Sequence, residues 1–442
     1  MSPKSIIDAG KMHPRQWIAI ALTIGLNALD GFDVLSSAFA GPGIKQEWTL
    51  GPDGLGIVLA MELIGMGVGS LLLGGAADKF GRRPTILACL VLMATGMFLA
   101  ASAASPQSLS VWRFMTGIGI GGMLSAINAV ANEYSSNKGR SFAMALMVIG
   151  YPLGGYFGGM TVKYLLPVND WRAIFEFGGW ATLVCLPLVW FFIPETPSFL
   201  DARRPAGALD RINKTLASFA LPQLQALSPI GPAQAKASVA DIFKRPYLRT
   251  TLLLAFGYSF HALTFYYLLK MAPVIISDPQ FAGQHFTRAE GAGVLANANL
   301  GGAIGGAIFG WFMHKFGIKR ATMVALAMSV LMVGLFGMGQ TTLNGWTLAV
   351  LSVGLFTNSA IVGFYSAWAI AYPTHIRATG TGFALSVGRG GAALSPVVAG
   401  LLFASNLGLA GVSIIMALGS LGSLVLLSMV DLGDDDMPAT NA

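Results

Sequence analysis

Two carboxylates, Asp30 and Asp33, stand three residues apart in "LDGFDVL", inside a run from Trp17 to Ala40 that is otherwise almost wholly apolar. Near the centre of a membrane helix each acid costs roughly 2.5–3.5 kcal/mol on insertion scales. The spacing puts both on one helix face, and Gly31 between them is expected to loosen the helix locally. Two acids this close disfavour double ionisation. Groups so placed can take up and release protons as their surroundings alternate between wet and dry, and an acid inside a span is by default a functional residue. The alternative is a structural pair bonded to neighbouring helices. Glu62, in "LAMELIGMG", is a third such acid. It is a candidate for proton handling or for selecting a polar group on a ligand, with pairing to an arginine as the alternative.

Two arginines lie within apolar runs, Arg113 in the first half of the chain and Arg389 in the second. The planar guanidinium fork matches a carboxylate. Arg389 is therefore the candidate anchor for a carboxylate ligand. Arg113 is the candidate charge partner of the aspartates, with a secondary place in the ligand site. A permanent structural ion pair is the alternative for each. "FYYLL" and "GFYSAWAIAY" supply Phe265, Tyr266, Tyr267, Tyr365, Trp368 and Tyr372. Of these, Tyr266, Tyr365 and Trp368 are candidates to line an apolar, stackable wall, although any one of them serves equally as a packing or lipid-facing group. His261 titrates near neutral pH when unperturbed and is a further candidate ligand contact or proton-transfer group, with a plain hydrogen-bonding role as its alternative. The sequence offers no metal-ligand cluster and no nucleophile–base set. "GTGFALSVG" lacks the lysine of a phosphate-binding loop. Neither an enzyme nor a bound metal or cofactor is expected.

These residues must be positioned by helices. Charged residues make up 11% of the 442 residues and apolar ones 54%, against about 25% charge in a soluble domain. Mean hydropathy is +0.66. Twelve runs of membrane-spanning length follow one another, and a barrel would instead show short alternating segments. An all-α integral membrane protein is predicted, with twelve transmembrane helices in two six-helix bundles. The first bundle is residues 1–193, the second 247–442, and a polar, basic, proline-containing linker at 194–246 divides them, with short surface helices expected in it. Cys89 and Cys185 both fall inside apolar runs and read as packing residues. With the N-terminus inside, twenty of the 27 Lys and Arg fall in cytoplasmic segments. Five (Lys45, Lys163, Arg172, Lys270 and Arg288) fall in outer segments or helix margins. That bias sets both termini in the cytoplasm and explains the net charge of +7 without nucleic acid. The first run is too long for a cleaved signal and carries two acids, so none is expected.

The halves repeat. "GGAADKFGRRPT" from Gly74 matches "GWFMHKFGIKRAT" from Gly310 at Gly, Lys, Phe and Gly, each pair 236 residues apart. Arg140 and Arg377, 237 apart, each follow a span. Parallel six-helix repeats with a site between them describe a transporter architecture. "GGAADKFGRRP" resembles the signature loop of the major facilitator superfamily. The resemblance implies a cytoplasmic gate built from Gly74, Asp78, Gly81, Arg82 and Arg83, with Glu133 and Arg377 as gate ion-pair residues at helix ends. His314 stands where the second copy would have its Asp, so a symmetric second gate is not expected. "LDGFD", "RFMTGIGIGG", "NEY", "PETPSFL" and "YPTHIRATGTGFALSVGRGGA" further resemble the aromatic acid:proton symporters. That resemblance implies a carrier of the bacterial inner membrane, and a monomer is expected. It would import a benzoate-like, hydroxybenzoate-like or lignin-derived aromatic acid with protons, by alternating access. Glu62 departs from the family, which usually has a small apolar residue there. The alternatives are a carrier for another organic anion, such as a ring-cleavage dicarboxylate, and a non-transporting membrane sensor, which would append a signalling domain.

Overall fold

A computed structural model describes residues 2–73, 75–228, 239–245, 247–282 and 286–432. Among them every regular element is a helix, and twelve helices are long and apolar enough to cross a membrane. The first half holds α1 (Pro3–Ala9), α2 (Pro14–Glu47), α3 (Pro52–Leu73), α4 (Ala76–Phe80), α5 (Arg82–Ala101), α6 (Pro106–Tyr134), α7 (Asn137–Leu165) and α8 (Arg172–Phe192). Two surface helices follow, α9 (Pro197–Arg203) and α10 (Ala208–Ser218). The second half holds α11 (Tyr247–Ser277), α12 (Pro279–Ala282), α13 (Arg288–Phe316), α14 (Ile318–Gly337), α15 (Leu343–Ala371), α16 (Thr374–Ala404) and α17 (Leu409–Ser428).

Local sequence starts and stops these helices. Pro14 opens α2 behind a His13 cap that Gln16 reciprocates, and Pro106 opens α6 behind the Ser105–Ser108 box. Thr287 and Glu290 form the same device on α13. Each caps donors that the first turn leaves unpaired. The two copies of the repeated loop turn at Gly81 (φ +110) and Gly317 (φ +85), conformations that favour glycine. The repeat seen in the sequence is thus also a repeat in backbone geometry.

The halves meet through two equivalent contacts, α3 on α16 and α7 on α13, with α2 on α11 between them. Contacts across the interface gather on the face away from the termini. There Gly56 lies under the Pro396 carbonyl and Gly400 under that of Pro52, where a Cβ would come within 2.3 and 2.4 Å. Gly41 lies against Val274, Lys45 pairs with Asp278, and Arg288 bonds Gln46. A recess of about 420 Å³ lined by Pro42, Lys45, Asp278 and Arg288 opens outward from this closure. The opposite face carries α1, α9 and α10, whose Ile7, Leu200, Ile212 and Leu216 form a separate small core.

Two sequence expectations change. Gly31 does not loosen α2, which runs through it unbroken. It lets α7 approach, since a Cβ there would sit 2.0 Å from the Tyr151 carbonyl oxygen. Lys270 is not at an outer margin: α11 extends well past it, and its side chain is fully buried.

Candidate functional site

Asp30 and Asp33 share the inward side of α2 and are 1% and 0% exposed. None of their four carboxylate oxygens has a hydrogen-bond partner among the described residues. Asp33 points toward α8, with Oδ1 3.2 Å from where a Cβ on Gly178 would sit. The backbone carbonyl of Asp33, by contrast, accepts from Ser36 Oγ (2.7 Å) and Arg113 Nη2 (2.8 Å). Two buried acids without donors are rare enough to need a reason.

Glu62 is at the centre of a charge cluster. Its Oε1 lies 2.7 Å from Arg113 Nη2 and its Oε2 3.1 Å from Lys270 Nζ, and all three side chains are fully buried. Ser37 donates to Glu62 Oε2 (3.1 Å) and accepts from Arg113 Nε (2.8 Å). The Arg113 guanidinium also lies over the Phe175 ring at 5.2 Å. Arg113 is therefore bound to Glu62 and to the backbone beside Asp33, while the aspartate side chains keep no ion-pair partner within 4.0 Å among the described residues.

Arg389, on α16, sits at the interface of the halves and is half-buried. Among the described residues no carboxylate lies within salt-bridge reach of it. Its Nη1 has only long contacts, 3.5 Å to the Tyr266 hydroxyl and 3.8 Å to Met66 Sδ. The phenols of Tyr151, Tyr258, Tyr266 and Tyr365 surround it, and Asp30 lies near it across the interface. Four helices, α7, α11, α15 and α16, thus bring a cation and four phenols together. Trp368 stands behind this wall, fully buried, with its ring 4.9 Å from Tyr258 and 5.2 Å from Tyr365. His261 lies elsewhere, inside the second half, with Nδ1 2.9 Å from Ser420 Oγ and Nε2 2.9 Å from the Thr357 carbonyl.

The gate candidates form a second cluster on the face that carries the termini. Gly74 lies outside the described residues. Arg82 pairs with Glu133 (2.9 Å) and Asp78 (3.0 Å), and Arg83 covers the Trp190 ring at 4.6 Å. Arg377 does not join them: its Nε donates to the Tyr372 carbonyl at 3.2 Å. His314 is exposed at the end of α13. Glu195, in the "PETPSFL" segment, accepts from the backbone N–H of Arg82 (3.0 Å), Arg83 (3.3 Å) and Thr196 (2.9 Å). It caps the start of α5 from a distant segment. Burial pushes its carboxyl above the usual range, and those N–H groups and Arg82 oppose the shift. Lys4 donates to the carbonyls of Asn132 (2.8 Å) and Ser135 (3.1 Å) at the end of α6, and burial lowers its ammonium below the usual range.

The sequence profile described as Major Facilitator Superfamily matches residues 21–396. The chain is similar to a gallate transporter of Pseudomonas putida, 27% identical over 414 residues, covering 92% of this chain and 90% of that protein. It is 30% identical over 408 residues to the 4-hydroxybenzoate transporter PcaK of Pseudomonas aeruginosa, covering 88% and 87%. It is also 30% identical over 411 residues to a 3-(3-hydroxy-phenyl)propionate transporter of Escherichia coli, covering 92% of each.

Proposed function

The chain belongs to the Major Facilitator Superfamily, and on that premise we propose that this non-enzymatic, multi-pass transporter imports an aromatic carboxylate with protons by alternating access. One observation carries the reading. Among the described residues Arg389 lies between the halves with no carboxylate in ion-pair reach, beside four tyrosines, and near Asp30, a buried acid without a hydrogen-bond partner among those residues. A half-buried guanidinium left without an anion is a site for one. The phenol rings give an aromatic body stacking surfaces, and their hydroxyls give a ring substituent something to bond. These relatives, named as transporters of gallate, 4-hydroxybenzoate and 3-(3-hydroxy-phenyl)propionate, support the same substrate class.

The mechanism follows from the two clusters. Residues 1–193 and 247–442 act as the two moving bodies, joined by the linker 194–246. The positive-inside bias sets the termini and the gate loop in the cytoplasm of a bacterial inner membrane. The face closed here is then the outer one, and an acid held by Arg389 leaves toward the cytoplasm. Asp30 and Asp33 take protons when the cavity is wetted from outside and give them up when it is wetted from inside. Arg82, Asp78 and Glu133 hold the gate loop, and Glu195 fixes the helix that follows it.

A thermal-shift screen tests the substrate class, because a ligand that binds the folded state stabilises it, by about 2.7 kcal/mol at a hundredfold excess over Kd. Benzoate and 4-hydroxybenzoate should raise Tm. Their uncharged esters should raise it far less, and aliphatic dicarboxylates should not raise it. Stabilisation by dicarboxylates alone would replace this reading with a carrier for another organic anion.

A further inference from the structure

We propose that Lys270 and Glu62 form a latch between the two halves, one that must break each time the face away from the termini opens. The proposal rests on the alternating-access reading above. Lys270 belongs to α11 in the second half, yet both of its hydrogen bonds among the described residues cross the interface. One goes to Glu62 Oε2 at 3.1 Å and the other to the Val34 carbonyl on α2. Glu62 is held on its own side by Arg113 at 2.7 Å and by Ser37 at 3.1 Å, and Arg113 is fixed in turn by Ser37 and the Asp33 carbonyl. The anion therefore stays with the first half, and Lys270 is the member that leaves.

The charges make that departure feasible. When Lys270 withdraws, Glu62 and Arg113 remain as a neutral pair, so the first half strands no unpaired ion. The ammonium moves into a cavity that is filling with water. The latch is also the deepest charged contact of the closure. Lys45–Asp278, nearer the surface, is partly exposed, whereas Lys270 and Glu62 are fully buried. A dry ion pair responds to loss of one partner far more than a wet one does. The lysine is thus placed to set how readily the closed face opens.

The test uses Val274, buried against Gly41 in this closure. The thiol of a Val274→Cys variant, in a background carrying Cys89→Ser and Cys185→Ser, reports opening by its reaction with a membrane-impermeant maleimide. Lys270→Met should raise its labelling rate about tenfold, the change that an equilibrium shift of ~1.4 kcal/mol produces. Lys270→Arg should label near the wild-type rate. Lys270→Gln can still donate to the Val34 carbonyl but lacks the charge. It should resemble Lys270→Met, and it replaces that variant if Met does not fold. Wild-type labelling in folded Lys270→Met or Lys270→Gln, with acid binding and uptake intact, overturns the latch alone. Failure of every acid to bind while the labelling difference persists overturns the substrate reading and leaves the latch standing.

Discussion

Replacing Arg389 by alanine removes the cation that the proposed substrate carboxylate would find. Its size can be worked out from the surroundings. Arg389 has no carboxylate partner among the described residues and only long contacts to Tyr266 and Met66, so its loss breaks no ion pair among them. The effect on binding falls mainly on the ligand. Hydrogen bonds to charged groups contribute roughly 1.5–3 kcal/mol each, and a guanidinium offers a carboxylate two. Arg389 is half-buried, so screening lowers the sum, and the loss on truncation should be about 2–4 kcal/mol. That corresponds to a Kd raised roughly 30- to 1,000-fold. Arg389→Lys should recover part of it, because an ammonium keeps the charge but not the planar fork. Isothermal titration of the purified variants with 4-hydroxybenzoate measures this directly. An uncharged ester should bind the wild type weakly and lose little more in Arg389→Ala. Binding of the acid by Arg389→Ala at wild-type affinity would refute the reasoning and turn attention to Lys270, a buried cation that reaches across the interface.

Other outcomes follow from the proposed gate. Gly81→Val meets both a backbone at φ +110 and a Glu195 oxygen 2.2 Å from the new Cβ. Strain of ~1–3 kcal/mol in the loop should slow uptake about tenfold or more while acid binding, measured by titration, stays near wild type. Burial raises the Glu195 carboxyl above its ordinary value of 4.5. Between that value and the raised one the folded state holds more protons than the unfolded state, so this contribution to stability is full at lower pH and is lost as pH rises through the window. Thermal unfolding from about pH 4 to 7 should show that slope, and Glu195→Gln should flatten it.

Much of this arrangement was legible in the sequence because membrane burial penalises the relevant residues. Charges inside apolar runs stand out, and Asp30, Asp33, Glu62, Arg113 and Arg389 were found that way. The twelve spans were legible for the same reason, though α2, at 34 residues, reaches about 50 Å and projects past its apolar run on both sides. Lys270 escaped because it lies near the end of its run, where a lysine usually marks the membrane boundary. Only the length of α11 and the partner on α3 reveal it as interior. Tyr151 and Tyr258 escaped because the tyrosine wall is assembled from several helices, and no local spacing announces it. Glu195 stood in a noted motif, but its task is to cap a helix more than a hundred residues earlier. His261 illustrates the converse: its type suggested a ligand, while the face of α11 on which it falls turns it to Ser420 and Thr357.

The central claim is that an aromatic acid moves with protons that Asp30 and Asp33 carry. Proteoliposomes with a labelled aromatic acid outside, and an imposed gradient acidic outside, test it directly. Wild type should accumulate the acid above its equilibrium level, and a protonophore should abolish the accumulation. Asp33→Asn, reconstituted at equal density, should lose accumulation nearly completely, because an amide cannot cycle a proton, and Asp30→Asn should be impaired as well. Accumulation at wild-type level in both variants, or in wild type without the gradient, would contradict the account.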